Sequence, residues 1–209
     1  MRRIISFLID LIFPKYCLSC GKEGEYWCDS CRRELPKTKN LSLIIKDKVY
    51  FDEFYALFDY DEPIIQSLIS SLKYRFIKEI AVYFGNLLAD KIGDLNFTGV
   101  LVPVPLHKRR QKWRGFNQAE EISKVIAQKT KLELRNVLNR QKYHKPQAKL
   151  SEEERLKSLN NAFIKTGEIP PAILLVDDVV TTGTTVNECS KILKEAGAKK
   201  IIVLTIAKG

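Results

Sequence analysis

Apolar positions recur along this 209-residue chain in two rhythms, and the alternation between them outlines a fold. From residue 63 to 76, "PIIQSLISSLKYRF" sets Ile64, Ile65, Leu68, Ile69 and Leu72 at helical spacing, with Pro63 suited to the first turn. Further helices are predicted over 78–92, where Ile80, Phe84, Leu87 and Leu88 share a face, over 117–129, over 151–159, and from Thr184 to Ala196. The second rhythm is the short, unbroken apolar run. "GVLVPVPL" (99–106), "AILLVDD" (172–178) and "KIIVLTIA" (200–207) read as strands covered on both faces. "VYFDEFYALFDY" (49–60) adds one or two strands, and a brief one is expected near Val137 and Leu138. Strands alternating with helices predict an α/β domain with a mostly parallel sheet flanked by helices.

The first 36 residues follow neither rhythm for long. "MRRIISFLIDLIFP" suits an amphipathic helix ended by Pro14. Asp10 interrupts its apolar stretch and no small-residue cleavage site follows, so it does not read as a secretory signal. It is also too short to span a bilayer, so no transmembrane segment is expected there. The expected location is the cytoplasm, with a peripheral seat at the inner face of the membrane as the alternative. "YCLSCGKEGEYWCDSCRREL" (16–35) then pairs Cys17 with Cys20 and Cys28 with Cys31 in two C-x-x-C turns. Two such turns bring four thiolates to one ion, the donor set of a structural zinc site with no open position. Two disulfides are disfavoured in a reducing compartment, and the spacing does not single out an iron–sulfur cluster. The expected organisation is an N-terminal helix and zinc-binding module over 1–36, followed by the α/β domain over 37–209. Cys189 falls on the apolar face of the last helix and reads as core.

Charge changes the picture because it is localised. The net charge is +10, yet residues 106–149 carry 13 basic side chains against Glu120, Glu121 and Glu133 alone, while the rest of the chain balances. A polyanion is the implied neighbour: a nucleic acid, a pyrophosphate or a membrane surface. Lys108, Arg109, Arg110, Lys112 and Arg114 supply five charges within seven positions, more than one diphosphate requires. Trp113 and Phe116 among them suit stacking on the bases of single-stranded DNA. The plain alternative is a solvated basic face on a helix-turn segment. Of these residues, Arg109 and Arg114 are the ones favoured here for function.

The densest chemistry lies in "ILLVDDVVTTGTTV" (173–186). A buried strand is expected to end at Asp177 and Asp178, with a loop leading into a helix capped by Thr184 or Thr185 and closed by Gly197. Free N–H groups at a helix start attract phosphate, Gly183 permits close approach, and threonine hydroxyls add neutral donors. The carboxylates repel bare phosphate, so they suit sugar hydroxyls or a bound Mg²⁺. Both halves together describe a phosphoribose site. A capped helix with a polar loop explains Thr184 and Gly197 but not the paired carboxylates. Neither G-x-x-x-x-G-K-[ST] nor G-x-G-x-x-G is present.

"LLVDDVVTTGTT" closely resembles the phosphoribosyl pyrophosphate (PRPP) motif of type I phosphoribosyltransferases. That resemblance implies that Asp177 and Asp178 hold the ribose hydroxyls, while the loop of Val179, Val180, Thr181, Thr182, Gly183, Thr184 and Thr185 cradles the 5′-phosphate. Val102, Pro103, Val104 and Pro105 resemble the pyrophosphate loop of glutamine-dependent amidophosphoribosyltransferases. Together with "VPVPLHKRRQKWRGFNQA" (102–119), "QAKLSEEERLKSLNNAF" (147–163) and the four-cysteine module, the motif makes most of the chain similar to the ComF family of competence proteins. The resemblance implies a role in natural transformation, PRPP bound with Mg²⁺, and a loop at about 140–155 closing over it, with Arg140, Lys142, Lys145 and Arg155 as cationic candidates. It marks Lys73 as a position of interest without a derived role. Two functions stay open: an enzyme transferring phosphoribose, or a non-catalytic sensor of PRPP or a nucleotide. In the second, the basic window holds single-stranded DNA, a competence helicase or another DNA-handling partner.

Overall fold

The computed structural model describes residues 14–35, 48–141 and 162–209. The expected N-terminal amphipathic helix, the helix over 151–159, Lys142, Lys145, Arg155 and the 36/37 boundary lie outside the described residues.

Over the described residues the strands are β1 (Glu53–Asp59), β2 (Val100–Pro103), β3 (Glu133–Leu134), β4 (Leu138–Arg140), β5 (Phe163–Lys165), β6 (Ala172–Val180) and β7 (Lys200–Lys208). The helices are α1 (Asp29–Glu34), α2 (Pro63–Tyr74), α3 (Glu79–Leu95), α4 (Lys108–Arg114), α5 (Gln118–Thr130) and α6 (Thr184–Glu195). Five strands form one parallel sheet in the order β1-β7-β6-β2-β3. β4 and β5 pair antiparallel as a separate ribbon, so the strand expected near Val137 and Leu138 does not join the main sheet.

The unbroken apolar runs are explained by burial on both faces. Leu174 and Val176 of β6, with Ile202, Leu204 and Ile206 of β7, face a core shared with α2, α3 and α5. Ile173, Leu175, Ile201 and Val203 point the other way, against Val186, Cys189 and Leu193 of α6. Period-two alternation thus splits each strand between two cores.

The order of the strands also places the site. From β2 the chain proceeds to β3 on one side, and from β6 it proceeds through α6 to β7 on the other. β2 and β6 are hydrogen-bonded neighbours, Val100 to Ile173 through Pro103 to Val176. Connections diverge between them, so a crevice opens outside their carboxyl ends, where ligands bind in open α/β sheets.

The cysteine module is built onto this domain. Trp27 is fully buried in the larger core, with its ring centroid 6.0 Å from Phe58, 6.5 Å from Tyr83 and 5.7 Å from Phe84. Lys15 adds an ion pair to Glu79 at 3.2 Å. Among the described residues no helix is long and apolar enough to cross a membrane.

Candidate functional site

β6 does not stop at the aspartates as the sequence suggests. It continues through Val180, because Val179 and Val180 still pair with Ala207 and Lys208 of the long final strand. Asp177 and Asp178 are therefore successive residues of a strand and leave its opposite faces. Asp178 turns towards α2, where its Oδ1 lies 2.9 Å from Lys73 Nζ. Burial disfavours the charge on Lys73, but the Asp178 charge and hydrogen bond outweigh it and raise the lysine pKa. Asp177 accepts a hydrogen bond from the backbone N–H of Asp178 at 2.8 Å. Desolvation first, and the neighbouring Asp178 charge second, push its carboxyl up to about 7, with Lys73 and Arg140 opposing.

Both carboxylates border a cavity of about 190 Å³, lined also by Lys73, Tyr74, Val104, Pro105, Leu106, Arg110, Arg114, Asn117, Gln118, Arg140 and Thr185. Val104 extends β2 by one bond, its N–H donating to Val176 O at 2.8 Å. Asn117 holds the turn that follows: its Nδ2 donates to Val104 O at 3.0 Å, and its Oδ1 caps α5 by accepting from Ala119 N. The cationic wall comes from α4 and β4. Arg114, 9% exposed, donates through Nη1 to Gln118 Oε1 at 2.6 Å, and its guanidinium sits 5.4 Å from the centre of the Tyr74 ring. Burial lowers its pKa and Asp178 opposes the shift. Arg140, whose guanidinium lies 5.1 Å over Phe163, is lowered by burial and then by Arg110. Arg114 Nε, Gln118 Nε2 and Arg140 Nε are buried donors with no hydrogen-bond partner among the described residues. Buried donors are nearly always satisfied, so these three are polar groups that the described residues leave without an acceptor.

Beside this cavity a smaller one, about 50 Å³, is enclosed by Asp177 and residues 179–186. Its geometry corrects the expected cap. Gly183, at φ +75° and ψ −4°, occupies the cap position of α6, and no side chain caps the helix. Only glycine takes this left-handed conformation without penalty, and it leaves the threonine hydroxyls unspent on the backbone. Thr182 and Thr184 instead hydrogen-bond each other, Oγ1 to Oγ1, at 2.8 Å.

The basic window divides. Arg110 and Arg114 line the cavity, whereas Lys108, Arg109 and Lys112 are exposed on the outer side of α4. Trp113 is 62% exposed but Phe116 is 5% exposed, so Phe116 belongs to the core and offers no stacking face. His107 is fixed at the start of α4: its Nδ1 caps the helix by accepting from Arg109 N, and its Nε2 meets Gln141 O at 3.2 Å. With Nδ1 accepting, the proton belongs on Nε2. Val102 and Pro103 lie in β2, where Val102 packs in the core beneath the turn. The roles of Asn117, Gln118 and Tyr74 were not visible to sequence reasoning. The signal available was two amides opening a helix directly after a glycine turn.

In the module, the metal-binding atoms of Cys17, Cys20, Cys28 and Cys31 all lie within 4.8 Å of one another, and none is in a disulfide. Cys20 and Cys28 Sγ are 3.7 Å apart, close to the ~3.8 Å tetrahedral edge implied by four zinc–sulfur bonds of about 2.3 Å. A Ser30 hydrogen bond draws Cys28 down to about 6. Cys31 rises to about 12: a Ser19 hydrogen bond opposes the rise, and proton sharing with Cys28 and Cys20 causes it. Against its burial, Cys17 is also drawn below the usual thiol value by backbone hydrogen bonds, and easily ionised thiols among close neighbours are a donor set that fits a metal dication.

Residues 81–209 match the family model for the phosphoribosyl transferase domain. Over 207 residues the chain is 32% identical to competence protein F of Haemophilus influenzae, covering 94% of this chain and 85% of that one. It is 29% identical over 188 residues to competence protein ComFC of Streptococcus pneumoniae, covering 88% and 82%. It is 32% identical over 205 residues to the DNA utilization protein YhgH of Escherichia coli, covering 92% and 83%.

Proposed function

The chain belongs to the ComF family of competence proteins and carries its phosphoribosyl transferase domain, and from this membership we propose that it binds PRPP with Mg²⁺ and acts in natural transformation. The observation that carries the reading is one cavity lined by both charges. The Asp177–Asp178 pair and the guanidiniums of Arg110, Arg114 and Arg140 border the same space. A sugar diol suits the carboxylates and a pyrophosphate the guanidiniums. The 5′-phosphate belongs in the adjoining small cavity, against the start of α6 and the hydroxyls of Thr181, Thr182, Thr184 and Thr185.

In this reading Asp177 and Asp178 accept from the ribose hydroxyls, and Lys73, 2.9 Å from Asp178, holds that carboxylate in place for the task. The backbone of Val104 and Pro105, with Arg110, Arg114 and Arg140, holds the pyrophosphate. Transfer forms a bond from an acceptor lone pair to ribose C1. The C1–oxygen bond breaks, its electron pair departs on pyrophosphate, and the acceptor's proton passes to solvent. The guanidiniums are placed where negative charge grows on the leaving group, the interaction that accelerates such a step most. The carboxylate pair also suits a magnesium ion carried by the ligand, which neutralises leaving-group charge when bound. The four-thiol cluster would hold a structural Zn²⁺ that fixes residues 14–35 on the domain as a docked satellite unit.

A second reading rests on the outward side of α4. Lys108, Arg109 and Lys112 take no part in lining the cavity and stand beside exposed Trp113, an arrangement suited to single-stranded DNA or a DNA-handling partner. In it the cavity senses PRPP without transfer. Pyrophosphate release from PRPP over a panel of nucleophilic acceptors separates the two. A transferase releases it with one acceptor and loses release in Asp177→Asn/Asp178→Asn. A sensor binds PRPP, releases nothing with any acceptor, and holds DNA with a steep salt dependence that charge reversal at Lys108 and Arg109 flattens. Absence of PRPP binding contradicts both.

A further inference from the structure

Exposed large apolar side chains are few among the described residues, and three of them meet at one place. Tyr74 is 57% exposed, Phe76 44% and Trp113 62%. The Trp113 ring lies 6.2 Å from Tyr74 and 5.9 Å from Phe76, centroid to centroid. They come from the end of α2, the turn after it and the last turn of α4, elements far apart in sequence. Phe76 holds φ +60°, a left-handed conformation that is costly for a bulky side chain, and its ring is only partly covered in return. A fold that accepts strain to keep an aromatic ring in water, against two others, is presenting a surface.

The surroundings select the occupant. Neither Tyr74–Lys78 nor residues 107–119 contain a carboxylate, while they bring Arg75, Lys78, Lys108, Arg109 and Lys112 to the surface. Glu79 and Glu121 lie at the margin, where Lys78 pairs with Glu121 at 3.6 Å, so the cationic frame rests on Arg75, Lys108, Arg109 and Lys112. Apolar rings beside such a frame suit a ligand with flat bases and a phosphate backbone, not an acidic peptide, which offers charge without regular flat faces. Tyr74 also lines the cavity, and the Arg114 guanidinium lies between its ring and Gln118. We infer that Tyr74, Phe76 and Trp113 form a stacking shelf for the bases of a single-stranded nucleic acid, whose backbone runs along the cations of α4 and whose nearest base lies at the cavity mouth. This rests on the nucleic-acid part of the proposed function and assigns it a place and a mode: base stacking, beyond attraction of charge.

The test compares fluorescence anisotropy of a labelled oligo(dT) with that of an abasic strand of the same length, on the full-length zinc-loaded protein. Stacking contributes about 1–3 kcal/mol per base, so Trp113→Ala and Phe76→Ala are each expected to weaken oligo(dT) by roughly 5- to 150-fold. Both leave affinity for the abasic strand unchanged, and Trp113→Phe retains most of the affinity for oligo(dT). Unchanged melting temperatures exclude a folding defect, because both side chains are on the surface. Equal affinity of the wild type for the two strands, no effect of either alanine variant, or no strand binding at all would overturn the shelf. PRPP titrated into the same preparation keeps the outcomes apart. A protein that binds PRPP and binds strands by charge alone loses the shelf but retains the proposed function.

Discussion

At the scale of residues, the site is governed by how two adjacent carboxylates are treated differently. Asp178 has a lysine at 2.9 Å, while Asp177 is desolvated beside it and holds its proton up to about 7. An unfolded aspartate titrates near 3.9, so between about pH 4 and 7 the folded chain binds more protons than the unfolded one. The stabilising contribution is complete below the unfolded value and is lost as pH rises through 7. The ligand-free protein is therefore expected to lose on the order of 2–4 kcal/mol from this group between pH 4 and 8. Asp177→Asn removes that slope and melts higher than wild type at pH 8; identical melting-temperature profiles for the two proteins contradict the assignment. The ion pair predicts a second result. Lys73→Met strands a largely buried carboxylate and costs about 2–3 kcal/mol, and adding Asp178→Asn recovers most of it in a denaturant double-mutant cycle. Much of this site was legible early, because Asp-Asp, Gly183 and the threonines are contiguous. The division of the arginines was not. Which side of a seven-residue helix faces a cavity depends on how His107, Asn117 and Gly115 fix its ends, and each of those acts through a partner distant in sequence or a backbone angle.

At the scale of elements, the sheet and its flanking helices follow from the apolar rhythm, since runs covered on both faces leave little choice but a buried parallel strand. What local pattern missed was reach. Val179 and Val180 look like loop residues until a nine-residue β7 offers them partners, and the strand expected at Val137–Leu138 finds its mate in β5, across 142–161. Helix crossings were equally hidden. A Cβ built on Gly85 of α3 would stand 2.5 Å from Val125 Cβ of α5 and 3.2 Å from Ile122 O. The first clash is with an atom every residue but glycine carries, so trimming Val125 to alanine cannot relieve it. Gly85→Ala is thus expected to cost about 1–3 kcal/mol in urea unfolding, despite the better helix propensity of alanine. A stability equal to or above wild type would show that the helices separate freely.

At the scale of the whole molecule, the cysteine module and the transferase-type domain are one structure, because Trp27 joins the aromatic cluster of Phe58, Tyr83 and Phe84. Removing the metal that the four thiols suit is expected to release Trp27, shift its fluorescence to longer wavelength and lower the melting temperature of the entire domain, not of a separate small transition. Trp27→Ala gives a comparable loss of about 3–5 kcal/mol with the metal in place. Two independent transitions after chelation would mean that the module is merely tethered. The cavity where β2 and β6 diverge is probed by calorimetric titration of Mg²⁺·PRPP. Saturable binding to wild type is expected, weakened at least tenfold in Arg114→Ala and abolished in Asp177→Asn/Asp178→Asn. A folded, metal-loaded wild type that produces no binding heat, with no competition by PRPP for a nucleotide probe, would contradict PRPP binding at this cavity.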